Sequence, residues 1–160
     1  KIKIQTTRTD WILEVIALIG LLLTIFLVII SYNDLPDVIP RHYTGNGQPD
    51  GYGTKSLLFI VPAMAIAIYI AMTLAARYPN TLNYPVRITL ENASKQYANL
   101  IMMMRIIKLL IVAMSLYLTF ATIQIGLGKM HGLGNWFLPL TVLSLLGTIG
   151  IFIHRGFRLS

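Results

Sequence analysis

His42 and Asp50 are the two side chains of this sequence best suited to doing chemistry together. An imidazole and a carboxylate, with Asp34, Asp37 and His131 expected on the same side of the molecule, are ligand types that zinc or manganese accepts. Their spacing matches no standard metal motif. The reading adopted is structural: His42 and Asp50 hydrogen-bond backbone groups and hold a loop in one shape, with no metal and no cofactor expected. Glu14 is the second candidate, because it is the one acid inside an apolar run and an intramembrane carboxylate is a candidate for ion coupling. It lies only three residues beyond Trp11, near a membrane boundary, so hydration or pairing with Lys or Arg is the expectation. Arg105 and Lys108 are expected to extend toward the lipid headgroups. Enzymatic activity is not expected. The chain has no cysteine, no H-E-x-x-H and no G-x-S-x-G, and His42, His131 and His154 are scattered.

The elements that must position these residues are membrane helices. Of 160 residues, 56% are hydrophobic and 12% charged, about half the charge of an ordinary soluble chain. The mean hydropathy is +0.70. Stretches 15–33, 56–76, 109–128 and 132–153 contain no Asp, Glu, Lys, Arg or His. Each is close to the ~20 residues that cross a bilayer. The expected fold is an all-α membrane protein, one four-helix domain over 1–160 with spans at about 11–32, 56–76, 105–127 and 136–154. Span three is expected to be the end of a longer helix from Leu90 to about Leu127, started by the capping-like Thr89-Leu90-Glu91-Asn92. The first run is expected to be a retained span, since no small-x-small cleavage site follows it.

Basic residues set the orientation. Lys1, Lys3, Arg8, Arg77, Arg87, Lys95, Arg105, Lys108, Arg155 and Arg158 fall on one side, and Arg41, Lys55 and Lys129 on the other. The richer side is cytoplasmic by the positive-inside rule, which predicts an N-in/C-in chain with an outer loop between helices 1 and 2. The net charge of +7 forms no compact basic run, so the bilayer and not nucleic acid is the expected partner. Ala63, Ala67, Ala71 and Ala75 place a small residue at every fourth position of span two, a ladder expected to pack helices within the bundle, with a homodimer seam as the alternative.

The loop 32–55, YNDLPDVIPRHYTGNGQPDGYGTK, is long for a connection between antiparallel helices, where about 2–8 residues is usual. Pro36, Pro40 and Pro49 restrict φ, Gly45, Gly47, Gly51 and Gly53 supply turns, and Val38, Ile39, Tyr43 and Tyr52 give apolar surface. It is expected to form a structured cap on the outer face, with Lys55 pairing with Asp50 or Asp37 or anchoring span two.

Pro36, Pro40, His42, Gly47, Pro49, Asp50, Gly53 and Lys55 resemble, in register, the "LP..IP.H…G.PD.YG.K" pattern of a bacterial membrane domain, domain of unknown function 1648. The resemblance covers roughly residues 20–70. The same domain forms the front part of SdpI-type immunity proteins, which protect a bacterium from its own secreted peptide toxin; their further spans, with a signature of their own, are not found here. The resemblance implies a multi-pass protein of the bacterial cytoplasmic (inner) membrane. Its implied role is immunity, or a sensor or accessory function, in which the outer loop meets a secreted peptide or another membrane subunit. The alternatives are a small transporter using Glu14 and a structural subunit of a membrane complex.

Overall fold

The computed structural model describes residue 4 and residues 6–160; Lys1 and Lys3 of the charge count lie outside the described residues. Four helices long and apolar enough to cross a membrane form the body. They are α1 (Arg8–Ser31), α2 (Ile60–Ala75, preceded by a 3-10 turn over Lys55–Phe59), α3 (Ala93–Gly126) and α4 (Phe137–Arg158). The loop between α1 and α2 contains strands β1 (Val38–Tyr43) and β2 (Pro49–Thr54), paired antiparallel. The chain is therefore mostly helical with a small two-stranded sheet, not purely α.

Local chemistry explains the helix ends. At the start of α1 the Thr7 hydroxyl accepts from the Asp10 N–H at 3.2 Å while the Asp10 carboxylate accepts from the Thr7 N–H at 2.7 Å, a complete capping box. Pro62 lies in the first turn of α2, where its missing N–H leaves no helix bond unmade. Ahead of α3, Thr89 and Asn92 bond each other's backbone N–H groups through their side chains, so the helix starts at Ala93, slightly later than Leu90.

α3 is the hub. α1, α2 and α4 all pack on it, α1 most extensively. Ala17, Leu21, Thr24 and Val28 form the buried edge of α1, and Lys108, Val112, Ser115, Thr119 and Thr122 that of α3. One apolar cluster joins Leu21, Ala65 and Val112; another joins Val28, Leu35, Ile39, Leu58 and Ile123 beneath the hairpin. Close packing is visible at Gly20, where a Cβ would come within 2.9 Å of Val112 Cγ1.

The alanine ladder does not pack the bundle. Ala63, Ala67 and Ala71 are exposed and Ala75 is half-buried, whereas Ala65 is buried. The buried edge of α2 runs through Pro62 and Ala65 to the half-buried Tyr69, and a shift of two residues along a helix is about 200° around it. α4 is the most outward of the four helices, with 6% of its apolar window buried. Two polar side chains of α3 tie it down: Gln96 Nε2 donates to Gly156 O at 2.8 Å, and Asn99 Nδ2 to Phe152 O at 2.9 Å.

Candidate functional site

At one end of the body the hairpin is seated on α3. Two-stranded hairpins are marginal alone; this one buries Ile39 and Pro40, and Leu35 ahead of it, against the α3 end. At Gly126 any Cβ would come within 2.9 Å of Leu35 and 3.3 Å of Ile39. Tyr43 Oη and Thr122 Oγ1 lie 2.8 Å apart. Burial raises the Tyr43 pKa, and the Thr122 hydrogen bond offsets part of the rise.

The pairing register jumps between Pro40 and His42 and again between His42 and Tyr43. Arg41 is thus an extra residue on β1 and Asp50 one on β2, and the bulges set His42 Nδ1 2.6 Å from Asp50 Oδ1. The two motif residues pair with each other instead of each bonding backbone. The pair is solvent-facing, with 69% and 43% of the side chains accessible. Among the described residues no three His, Asp or Glu side chains converge, so Asp34, Asp37 and His131 do not complete a metal site around it. Lys55 pairs with Asp37 at 3.3 Å, donates to Leu35 O at 3.4 Å and lies 5.4 Å from the centroid of the Tyr32 ring.

The other motif positions shape the backbone. Thr44 and Gln48 close the hairpin tip through a backbone bond of 2.8 Å, and the Thr44 hydroxyl also meets Asn46. Gly47 has φ +81° and is buried against the α3–α4 loop, where a Cβ would stand 2.6 Å from Gly134 O. Its own carbonyl accepts from the Leu133 N–H at 2.7 Å. Leu133 O in turn accepts from the Tyr117 hydroxyl at 2.8 Å. Gly53 leaves space that Leu57 occupies; Pro36 is exposed and Pro49 half-buried. Among the residues left outward on this hairpin are Val38, Tyr52, Arg41 and the His42–Asp50 pair.

Toward the opposite end, near the start of α1 and the end of α2 and about three turns into α3, the structure brings together charges that are far apart in sequence. Glu14 Oε2 lies 2.6 Å from Lys108 Nζ, and Glu14 Oε1 3.3 Å from Arg105 Nε. Arg105 Nη1 reaches Asp10 Oδ1 at 2.5 Å. Lys108 also donates to Thr73 Oγ1 at 2.8 Å and stands 4.5 Å from the centroid of the Tyr69 ring. Arg105 and Lys108 therefore point inward instead of toward headgroups: the carboxylates on α1 offer a partner inside the body. Asp10, Tyr69 and Thr73 were not singled out from sequence. The available signal was complementary spacing, acids four apart on α1 facing bases three apart on α3. Beside this cluster a cavity of about 820 Å³ opens, lined in part by Glu14, Tyr69, Thr73 and Arg105.

Residues 19–66, from within α1 through the hairpin into α2, match the family model described as Domain of unknown function (DUF1648). An uncharacterized protein of Archaeoglobus fulgidus is 35% identical over 65 residues, covering 36% of this chain and 36% of its own. The chain thus spans about a third of the length of that curated relative. No solved structure matches.

Proposed function

We propose that this multi-pass membrane protein is a recognition component of a cytoplasmic membrane, with the hairpin outside and both chain ends inside. In this reading the hairpin engages a secreted peptide or another membrane subunit at the membrane surface, in a role like SdpI-type immunity or that of a sensor. The observation that carries the reading is the hairpin itself: a platform held by buried Leu35, Ile39 and Pro40 that leaves Val38, Tyr52 and the His42–Asp50 pair outward. A rigid surface with an aromatic anchor and polar groups suits binding, because little ordering entropy is lost on contact. With Arg105 and Lys108 withdrawn into ion pairs, Arg8, Arg77, Arg87, Lys95, Arg155 and Arg158 still outnumber Arg41, Lys55 and Lys129, which supports the orientation. Transport through Glu14 draws less support, since both of its oxygens are occupied by cations.

The test is a photo-crosslinking residue at Tyr52, with the membranes exposed to secreted peptides of the source culture. An adduct lost in Val38→Ser and in His42→Ala, with thermal stability kept, is the expected result. No adduct with either secreted peptides or a membrane subunit would overturn the reading.

A further inference from the structure

The cavity beside the charge cluster carries a second assignment, independent of the hairpin. Its volume of about 820 Å³ lies in the range of small-molecule sites, ~300–1,000 Å³. Its lining combines apolar side chains, Val15, Leu18 and Ile101 among them, with the charged Glu14, Arg105 and Arg77. The charges do not cancel. Asp10 and Glu14 are balanced by Arg105 and Lys108 through contacts of 2.5–3.3 Å. Arg77 is an additional cation, exposed and without a carboxylate at ion-pair distance among the described residues. Arg105 uses Nε and Nη1 on the two carboxylates, which leaves part of its five-donor guanidinium for another acceptor.

We propose that this cavity binds an anionic membrane lipid, with its phosphate between Arg77 and Arg105 and an acyl chain along Val15, Leu18 and Ile101. A site of net +1 with apolar lining, placed where α2 ends, complements a single negative headgroup attached to hydrocarbon. A cationic amphiphile is disfavoured, because Glu14 is already neutralised and Arg77 repels it. Occupancy would also dry the Glu14 side of the cluster and strengthen its ion pairs.

The experiment is native mass spectrometry of the full chain in mild detergent, titrated with phosphatidylglycerol or with phosphatidylcholine of the same acyl chains. One retained phosphatidylglycerol, preferred about tenfold, is expected, the equivalent of one charge-assisted contact. Arg77→Gln should remove the preference and leave thermal stability unchanged, since Arg77 holds no ion pair among the described residues. Lys95→Gln, an exposed cation at the same end that does not line the cavity, should have no effect. Val15→Trp, which enlarges an apolar lining residue, should lower retention of both lipids. Equal retention of the two lipids in the parent, or equal losses in Arg77→Gln and Lys95→Gln, would overturn the assignment in favour of a general charge effect. Displacement of phosphatidylglycerol by inorganic phosphate alone would overturn the lipid in favour of the free ion.

Discussion

Glu14→Gln isolates the charge of the buried cluster from its shape. Glutamine has the same volume and keeps a hydrogen-bonding oxygen, so packing is nearly unchanged. Arg105 retains Asp10 at 2.5 Å, and the unbalanced charge falls on Lys108, whose side chain is 3% accessible and whose other contacts are the neutral Thr73 hydroxyl and Tyr69 ring. Removing one partner of a buried pair costs about 3–5 kcal/mol. Glu14 is 25% accessible, which admits some water and places the loss near the low end, about 3 kcal/mol. At roughly 2–4 °C per kcal/mol for a chain of this size, the melting temperature in mild detergent should fall by roughly 6–12 °C. Lys108→Met should cost about 1–2 kcal/mol, since Glu14 then keeps Arg105 and partial hydration. The double variant Glu14→Gln/Lys108→Met carries no stranded charge, so it should be about 1–3 kcal/mol more stable than the sum of the singles. Thermal melts followed by circular dichroism on all four proteins measure this. Simple additivity, or a Glu14→Gln protein that melts with the parent, would refute the ion-pair reasoning and return Glu14 to the transport alternative.

The glycines should separate sharply in thermal melts. Gly47→Ala meets both a positive φ and the Gly134 carbonyl and should cost about 2 kcal/mol or more, while Gly147→Ala, with nothing within 4 Å, should be neutral or stabilising by up to about 1 kcal/mol. Breaking the exposed His42–Asp50 pair by Asp50→Ala should shift stability by less than about 1 kcal/mol, and a larger loss would mean the pair holds the hairpin together. Burial and the neighbouring Tyr97 push the Tyr84 pKa up to about 12, so the late phenolate signal in an ultraviolet titration should lose one tyrosine in Tyr84→Phe. Because the folded state holds that proton more tightly, stability should be lost as pH rises from about 10 through about 12. For orientation, Gly45→Cys is a better probe than a cysteine at Thr44, whose hydroxyl closes the tip. It should react with an impermeant thiol reagent added outside, and Asn80→Cys should not; the reverse pattern would invert the topology.

The four helices long and apolar enough to cross a membrane were legible because apolar runs of bilayer length have few other uses. The hairpin was not, since Pro40, Pro49, Gly51 and Gly53 are poor strand residues; its strands persist because Ile39 and Leu35 are anchored on α3, a contact distant in sequence. For the alanine ladder, spacing identified a helix face but not what the face meets. Burial of Arg105 and Lys108 was hidden for a related reason: a lone base near a helix end reads as an anchor until a facing acid is placed. His42 and Asp50 were visible as residues, while their contact depends on two bulges that no alternation pattern announces.

The central position of α3 sets an order of assembly. α1 and α2 have little contact with each other, so these two helices, made before α3, lack most of their packing surface until it arrives. The hairpin likewise emerges before its seat, and Asp10 and Glu14 before Arg105 and Lys108. In the two-stage view of membrane helices, α1 and α2 would then insert as independent helices and cohere once α3 is made. α4 follows α3 in the chain and packs on it.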